Sequence, residues 1–185
     1  SKVLLAGSTC EPNERLLKSF ADTYSSSDIK FVIAPHEIHA SRIDFLMKLF
    51  GNTCVKYSDI ANISDLKDYK VLIIDNIGML SSLYQYAYVA YIGGGFGKGI
   101  HNILEALAFG KPVCFGPKYQ KFQEAKDIVN LNGGWSVGDE KSLNKALTDL
   151  FDSDELYNKA SDVCIHYVQD NKGTSDTIIN MVMKF

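Results

Sequence analysis

With 185 residues, 46% of them hydrophobic, the chain is long enough for one well-buried core and too short for two comfortable ones. Its formal charge of -3, from 19 basic and 22 acidic residues, excludes the strongly basic surface on which nonspecific nucleic-acid binding depends. No apolar run reaches the ~18 residues of a membrane span, and no segment resembles a signal peptide. We therefore expect a single domain over residues 1–185, with no nucleic acid among its partners.

Strands and helices alternate along the chain. Strands are predicted over 2–7, 30–35, 53–57, 68–75, 89–95 and 112–116, and helices over 12–24, 41–50, 80–86 and 102–109, with a mainly helical remainder. Ser8 and Thr9 are candidates for the N-cap of the first helix, and Pro12 suits its first turn. Continuous apolar strands separated by helices are typical of α/β proteins. The predicted fold is a Rossmann-like parallel sheet with helices on both faces.

The ligand of such a sheet lies beyond the carboxyl ends of its strands, where residues 7–14, 35–39, 75–80 and 93–105 fall. The last stretch reads GGGFGKGIHNILE. Its amides and the helix start behind them could face an anion, although it matches neither the dinucleotide fingerprint nor the P-loop. Asn102 and Glu105 share one face of the predicted helix, where a carboxylate could accept both hydroxyls of a ribose. The alternative is that the glycines only form a tight turn and Glu105 only complements the helix dipole.

The four cysteines are far apart and form no CxxC pair, so we expect reduced thiols packed as small apolar groups. Three histidines, His36, His39 and His101, are too scattered in sequence to be called a metal site. Ordinary surface or capping roles are the simpler interpretation of these side chains. We predict no metal and no cofactor.

Five stretches, GSTCEPNE, IAPHE, DNIGML, YIGGG and HNILEALAFGKPVCFGP, occur in this order within about residues 3–135. Together they resemble the C-terminal half of the 3-deoxy-D-manno-octulosonic acid (Kdo) transferases of lipopolysaccharide biosynthesis. The resemblance implies a two-domain glycosyltransferase of the GT-B type, whose C-terminal domain binds CMP-Kdo and whose acceptor is a lipid A precursor. It also implies a place at the cytoplasmic face of the inner membrane of a Gram-negative bacterium.

By position, the resemblance implies three groups of donor-binding residues. The ribose and phosphate would meet Asn102, Ile103, Leu104 and Glu105; the nucleotide-binding loop would be Ile77, Gly78 and Met79; and the phosphate would also meet Pro35 and His36. His36 stands where the family has an arginine, so its charge at pH 7 differs. Lys98, Lys118 or Arg42 could supply the missing charge, and Ser8 matches a stretch at the interdomain cleft.

The general base of the family lies in the N-terminal half, so the resemblance implies no catalytic residue in this chain. The chain starts at Ser1 and enters its first strand by Val3, and we interpret it as a piece of a longer protein that lacks the N-terminal acceptor domain. The piece is expected to fold alone and to show no turnover. Two other classes stay open: a GT-B enzyme that uses a UDP-sugar, either a glycosyltransferase or an epimerase, and a noncatalytic nucleotide-binding module.

Overall fold

The computed structural model describes residues 1–24, 28–171 and 182–183. Its strands are β1 (Lys2–Thr9), β2 (Ile29–Pro35), β3 (Cys54–Lys56), β4 (Val71–Ile73), β5 (Val89–Ile92), β6 (Val113–Phe115) and β7 (Gly134–Ser136). All neighbours pair in parallel, in the order β3-β4-β2-β1-β5-β6-β7. The predicted α/β fold with a parallel sheet is therefore confirmed.

Within the described residues, seven α-helices connect or flank these strands. They are α1 (Glu11–Thr23), α2 (Ala40–Phe50), α3 (Leu80–Leu83), α4 (Leu104–Leu107), α5 (Gln123–Asn130), α6 (Glu140–Asp152) and α7 (Asp154–Asp170). Short 3-10 helices cover Gly51–Thr53, Tyr57–Asn62 and Tyr84–Tyr86. None of the helices in the described ranges has both the length and the apolar character needed to cross a membrane.

Two hydrophobic cores cover the two faces of the sheet. Along β5, Val89 and Tyr91 enter one core, while Ala90 and Ile92 enter the other, because successive strand side chains point to opposite faces. Helices α1, α2 and α6 pack on the first face, and α4 and α5 pack on the second. All four cysteines are free thiols, and the expected apolar packing holds for the buried Cys54, Cys114 and Cys164. Cys10 departs from it, since it is half-buried at the start of α1 and its thiol donates to Asn13 Oδ1 at 2.9 Å.

The structure departs from the predicted elements at several places. The strand predicted over 68–75 is only Val71–Ile73, and the one predicted over 89–95 ends at Ile92. Strand β7 was not predicted, because its three residues, Gly134–Ser136, form no apolar run and are recruited only by pairing with β6. The helix predicted over 102–109 shrinks to Leu104–Leu107, since Gly110 adopts a φ of 65° and a proline follows at 112. The helix predicted over 80–86 tightens into a 3-10 turn after Leu83.

Candidate donor-binding site

The sheet order changes direction at its centre, where β1 has β2 on one side and β5 on the other. The connections leaving β1 and β5 run to opposite flanks of the sheet, so a crevice opens above the carboxyl ends of these strands. This switch point is where parallel α/β sheets bind their ligands. The four stretches that the sequence places at strand ends follow β1, β2, β4 and β5, and they surround this crevice.

At the end of β1 the backbone breaks its regular register. The pairing with β2 shifts between Gly7 and Thr9, and Ser8 takes a left-handed φ of 53°. The prediction that Ser8 or Thr9 caps α1 is wrong: the N-cap is Cys10, whose amide donates to the Asn13 side chain at 3.1 Å. Ser8 does not cap the helix and lies half-buried in the wall of a pocket.

Asn13, which was not among the predicted site residues, fastens the glycine-rich loop to α1. Its side chain is fully buried; Oδ1 accepts from the Gly94 amide at 3.1 Å, and Nδ2 donates to the Gly94 carbonyl at 3.1 Å. Nδ2 also donates to the Tyr91 hydroxyl at 3.0 Å. One amide side chain thus satisfies both backbone groups of a loop residue. No local motif announces this role, because the partners lie about 80 residues apart in sequence.

The three consecutive glycines are explained by contacts within the protein. Their amides already have acceptors: Gly93 donates to the Gly7 carbonyl at 2.8 Å, Gly94 to Asn13, and Gly95 to the Gly99 carbonyl at 2.6 Å. Gly95 also has a φ of 79°, and a Cβ there would lie 2.5 Å from the Gly116 Cα. The expectation that these amides face an anion is therefore wrong. The tight-turn interpretation holds for this triplet, since two backbones approach too closely for any side chain.

Asn102 and Glu105 meet, although Asn102 precedes α4 and does not stand on its first turn as predicted. Asn102 Nδ2 donates to Glu105 Oε1 at 3.1 Å, and Asn102 Oδ1 accepts from the Leu104 amide at 3.0 Å. Glu105 is half-buried and lies close to the buried Tyr84, whose pKa is raised by burial and by the Glu105 charge. Between them, Ile103 is buried in the core. Only its backbone is therefore available to a ligand.

A pocket of about 370 Å³ lies at the ends of β1, β2 and β4, and neither Asn102 nor Glu105 lines it. Five of the predicted residues line it: Ser8, Pro35, His36, Ile77 and Gly78. The Ile77 side chain is 86% exposed, which is unusual for an isoleucine and suits a loop that can cover an apolar ligand. Met79 is half-buried at the N-cap of α3, where its Sδ accepts from Asn76 Nδ2 at 3.0 Å.

The predicted substitute cations are placed away from this pocket or already paired. Arg42 contacts the fully buried Glu14 as an ion pair, while the Thr9 hydroxyl donates to the same carboxylate at 2.8 Å. Burial raises the Glu14 pKa, and Thr9 and Arg42 oppose that rise. Lys98 and Lys118 are exposed and line a different pocket, of about 580 Å³, with Gly97, Gln120 and Lys121.

Two of the three scattered histidines come together. The rings of His36 and His101 lie with their centroids 4.5 Å apart and their planes inclined by 31°. His101 is half-buried, and its pKa is lowered by burial and then by His36. His39 is the N-cap of α2, so the capping interpretation holds for that residue. Among the described side chains, no group of three or more histidine, cysteine or acidic residues is arranged to hold a metal ion.

Several curated proteins are similar to this chain in sequence. No family model matches the chain. The 3-deoxy-D-manno-octulosonic acid transferase of Aquifex aeolicus is 30% identical over 142 residues, which are 74% of this chain and 38% of that protein. The Rickettsia conorii enzyme of the same name is 24% identical over 194 residues. This match covers 100% of this chain and 40% of that protein. The chain is a relative of the Kdo transferases.

Solved structures share the fold of this chain. The C-terminal CMP-Kdo binding domain of WaaA from Acinetobacter baumannii superposes with a TM-score of 0.79 at 22% identity, over 91% of this chain and 89% of that domain. UDP-GlcNAc 2-epimerase from Neisseria meningitidis bound to UDP-GlcNAc gives 0.65 at 18% identity, over 100% of this chain and 44% of its own. The fold is thus that of a GT-B C-terminal domain. This relative of the Kdo transferases spans about two fifths of the length of the two curated relatives compared above.

Proposed function

We propose that the chain is the donor-binding half of a Kdo transferase, which moves Kdo from CMP-Kdo to a lipid A precursor in lipopolysaccharide biosynthesis. The observation that carries the proposal is the Asn102–Glu105 pair, joined at 3.1 Å at the start of α4, the helix that follows β5 at the switch point of the sheet. The similarity of the whole chain to Kdo transferases supports the choice of donor. The complete enzyme would act at the cytoplasmic face of the bacterial inner membrane, with its acceptor half supplied by sequence outside this chain.

Each part of the nucleotide has a matching feature. Glu105 is held by Asn102 with its second carboxylate oxygen left for ribose hydroxyls, which are good partners for a charged acceptor. The exposed loop over Ile77 and Gly78 provides an apolar cover and backbone groups for the base. Ser8 and His36 lie in the same pocket wall, where a hydroxyl and an imidazole can meet the phosphate.

In the proposed reaction the acceptor hydroxyl oxygen bonds to the anomeric carbon of Kdo, the bond from that carbon to the phosphate oxygen breaks, and CMP leaves. Negative charge grows on the departing phosphate, so fixed donors aimed at it lower the barrier. The proton of the acceptor hydroxyl goes to a general base, which we assign to the acceptor half rather than to a residue of this chain. The proposal includes no metal and no cofactor.

A titration of CMP and of UMP into the chain by calorimetry tests this proposal. CMP should bind, and UMP should bind at least about 10-fold more weakly. Glu105→Ala should weaken CMP binding without lowering the melting temperature of the protein. The UDP-sugar alternative has its own support in the fold shared with the Neisseria epimerase, and a preference for UMP would favour it. Binding of neither nucleotide would leave the noncatalytic interaction module in place of an enzyme.

A further inference from the structure

The His36–His101 pair occupies the switch point of the sheet, and each histidine is anchored to a different neighbour. The His36 amide donates to the Thr9 carbonyl at 2.9 Å, which ties the end of β2 to β1. The His101 amide donates to the Gly93 carbonyl at 3.1 Å, which ties the exit of the glycine-rich loop to the end of β5. Loops from both sides of β1 therefore bring their imidazoles into ring contact over the crevice.

Four acidic side chains on the segments that follow β1, β2, β4 and β5 already have partners. Glu37 lies 3.2 Å from the His39 ring, Glu14 is paired with Arg42, Asp75 accepts from Ser58, and Glu105 accepts from Asn102. Lys98 is exposed and lines the separate lysine pocket. No hydrogen bond found among the described residues joins a carboxylate to either ring. In the described part of the chain, the pair therefore has no hydrogen-bonded counter-charge.

Two imidazoles in ring contact resist double protonation, because the charge on one raises the cost of charging the other. Burial of His101 adds to this resistance, and the pKa of that ring is lowered. The lowered pKa of His101 therefore favours the neutral form of that ring when no ligand is bound. An anion placed against both rings favours the protonated form of one imidazole, because it stabilises the imidazolium by a charge-assisted hydrogen bond.

We propose that His36 and His101 bind the phosphate of the nucleotide donor as one unit and take up a proton from solvent when it binds. This inference rests on the proposed donor site and extends it to His101, a residue that the sequence does not single out as donor-binding. No covalent bond changes in the step: one solvent proton moves to an imidazole nitrogen, and the resulting cation faces the phosphate. The same cation would then stabilise the charge that the phosphate gains as CMP leaves.

Proton uptake can be measured directly with the unmodified chain. CMP is titrated at pH 7.5 in buffers of different ionisation enthalpy, so that the buffer dependence of the heat gives the number of protons taken up. The second phosphate pKa is near 6, so free CMP is already almost fully ionised at this pH and a cationic site would not protonate it. The expected uptake is about 0.3–1 proton per CMP bound, and cytidine without phosphate should cause none.

Three single variants assign the proton. His36→Asn and His101→Asn should each abolish most of the uptake and weaken CMP binding at pH 6.5 by roughly 10-fold. His166→Asn is the matched control: that residue is exposed on α7, its Nδ1 faces the Asp162 carbonyl, and uptake should be unchanged. Melting temperatures show whether each variant is folded, and His36 is exposed enough to be replaced without loss of packing.

The outcomes separate the two proposals. CMP binding without proton uptake in the unmodified chain overturns the histidine inference and leaves the donor-binding function standing. Uptake that survives in both His36→Asn and His101→Asn also overturns it, because another group then carries the proton. Failure of CMP to bind at all would remove the donor site and the inference together.

Discussion

Asn13→Ala should destabilise the protein more than any exposed amide replacement, because it removes the side chain that joins the glycine-rich loop to α1. The variant loses two hydrogen bonds to Gly94, one to Tyr91 and one to the Cys10 amide. Each bond contributes about 1 kcal/mol, and a buried group left without a partner costs about 1–3 kcal/mol. The fully buried Tyr91 hydroxyl is such a group, so the expected loss is about 3–5 kcal/mol.

Urea denaturation of the parent and variant gives this difference as a change in the free energy of unfolding. For a chain of this size, a loss in that range corresponds to a melting temperature lower by roughly 10 °C. Gln123→Ala is the control, since its exposed amide donates to Asp127 on the same helix and should change stability by less than about 0.5 kcal/mol. A loss below about 1 kcal/mol for Asn13→Ala would show that the loop is held by other contacts and would refute the reasoning.

Three further predictions concern the surroundings of the site. Gly95→Ala should lower the free energy of unfolding by at least about 2 kcal/mol in thermal melting, because Gly95 has a positive φ and a Cβ there would lie 2.5 Å from the Gly116 backbone. Gly97 has open space around it, so Gly97→Ala should lower it by less than about 1 kcal/mol. Arg42→Met should cost about 3 kcal/mol at pH 8 and less at pH 5. The buried Glu14 has a raised pKa, so its ionisation lowers the stability of the fold as pH rises above about 4.5. Removing Arg42 makes that ionisation more unfavourable, and the loss is therefore larger at pH 8. Equal losses at both pH values in urea titrations would contradict this. Glu105→Ala should weaken CMP by about 10- to 100-fold in calorimetry with an unchanged melting temperature, and a variant that unfolds would give Glu105 a structural role.

The strands could be predicted from sequence because parallel strands buried on both faces leave unbroken apolar runs. β1, β2 and β5 all carry this signal and were found close to their predicted bounds. β7 carries no such signal: Gly134–Ser136 becomes a strand only through its neighbour β6. Local composition therefore predicted the central strands and one edge strand, β3, and missed the other edge strand, β7.

The candidate site shows the same limit at the level of single residues. Asn102 and Glu105 are three apart, so a contact between them is predicted from helical spacing, and the structure joins them with Asn102 just before the start of α4. Asn13 and Gly94, or His36 and His101, meet only because the strand order places distant loops side by side. The glycine triplet gave a wrong prediction of an anion site, because its amides donate to acceptors within the protein. Contacts across the switch point need the fold before they can be seen.

A crystal structure of the chain with CMP would test the central claim most directly. The account predicts ribose hydroxyls within hydrogen-bond distance of Glu105, the base against the loop over Ile77 and Gly78, and the phosphate beside His36 and His101. A nucleotide bound instead in the pocket of Lys98, Lys118 and Lys121, or anywhere away from the carboxyl ends of β1 and β5, would contradict it.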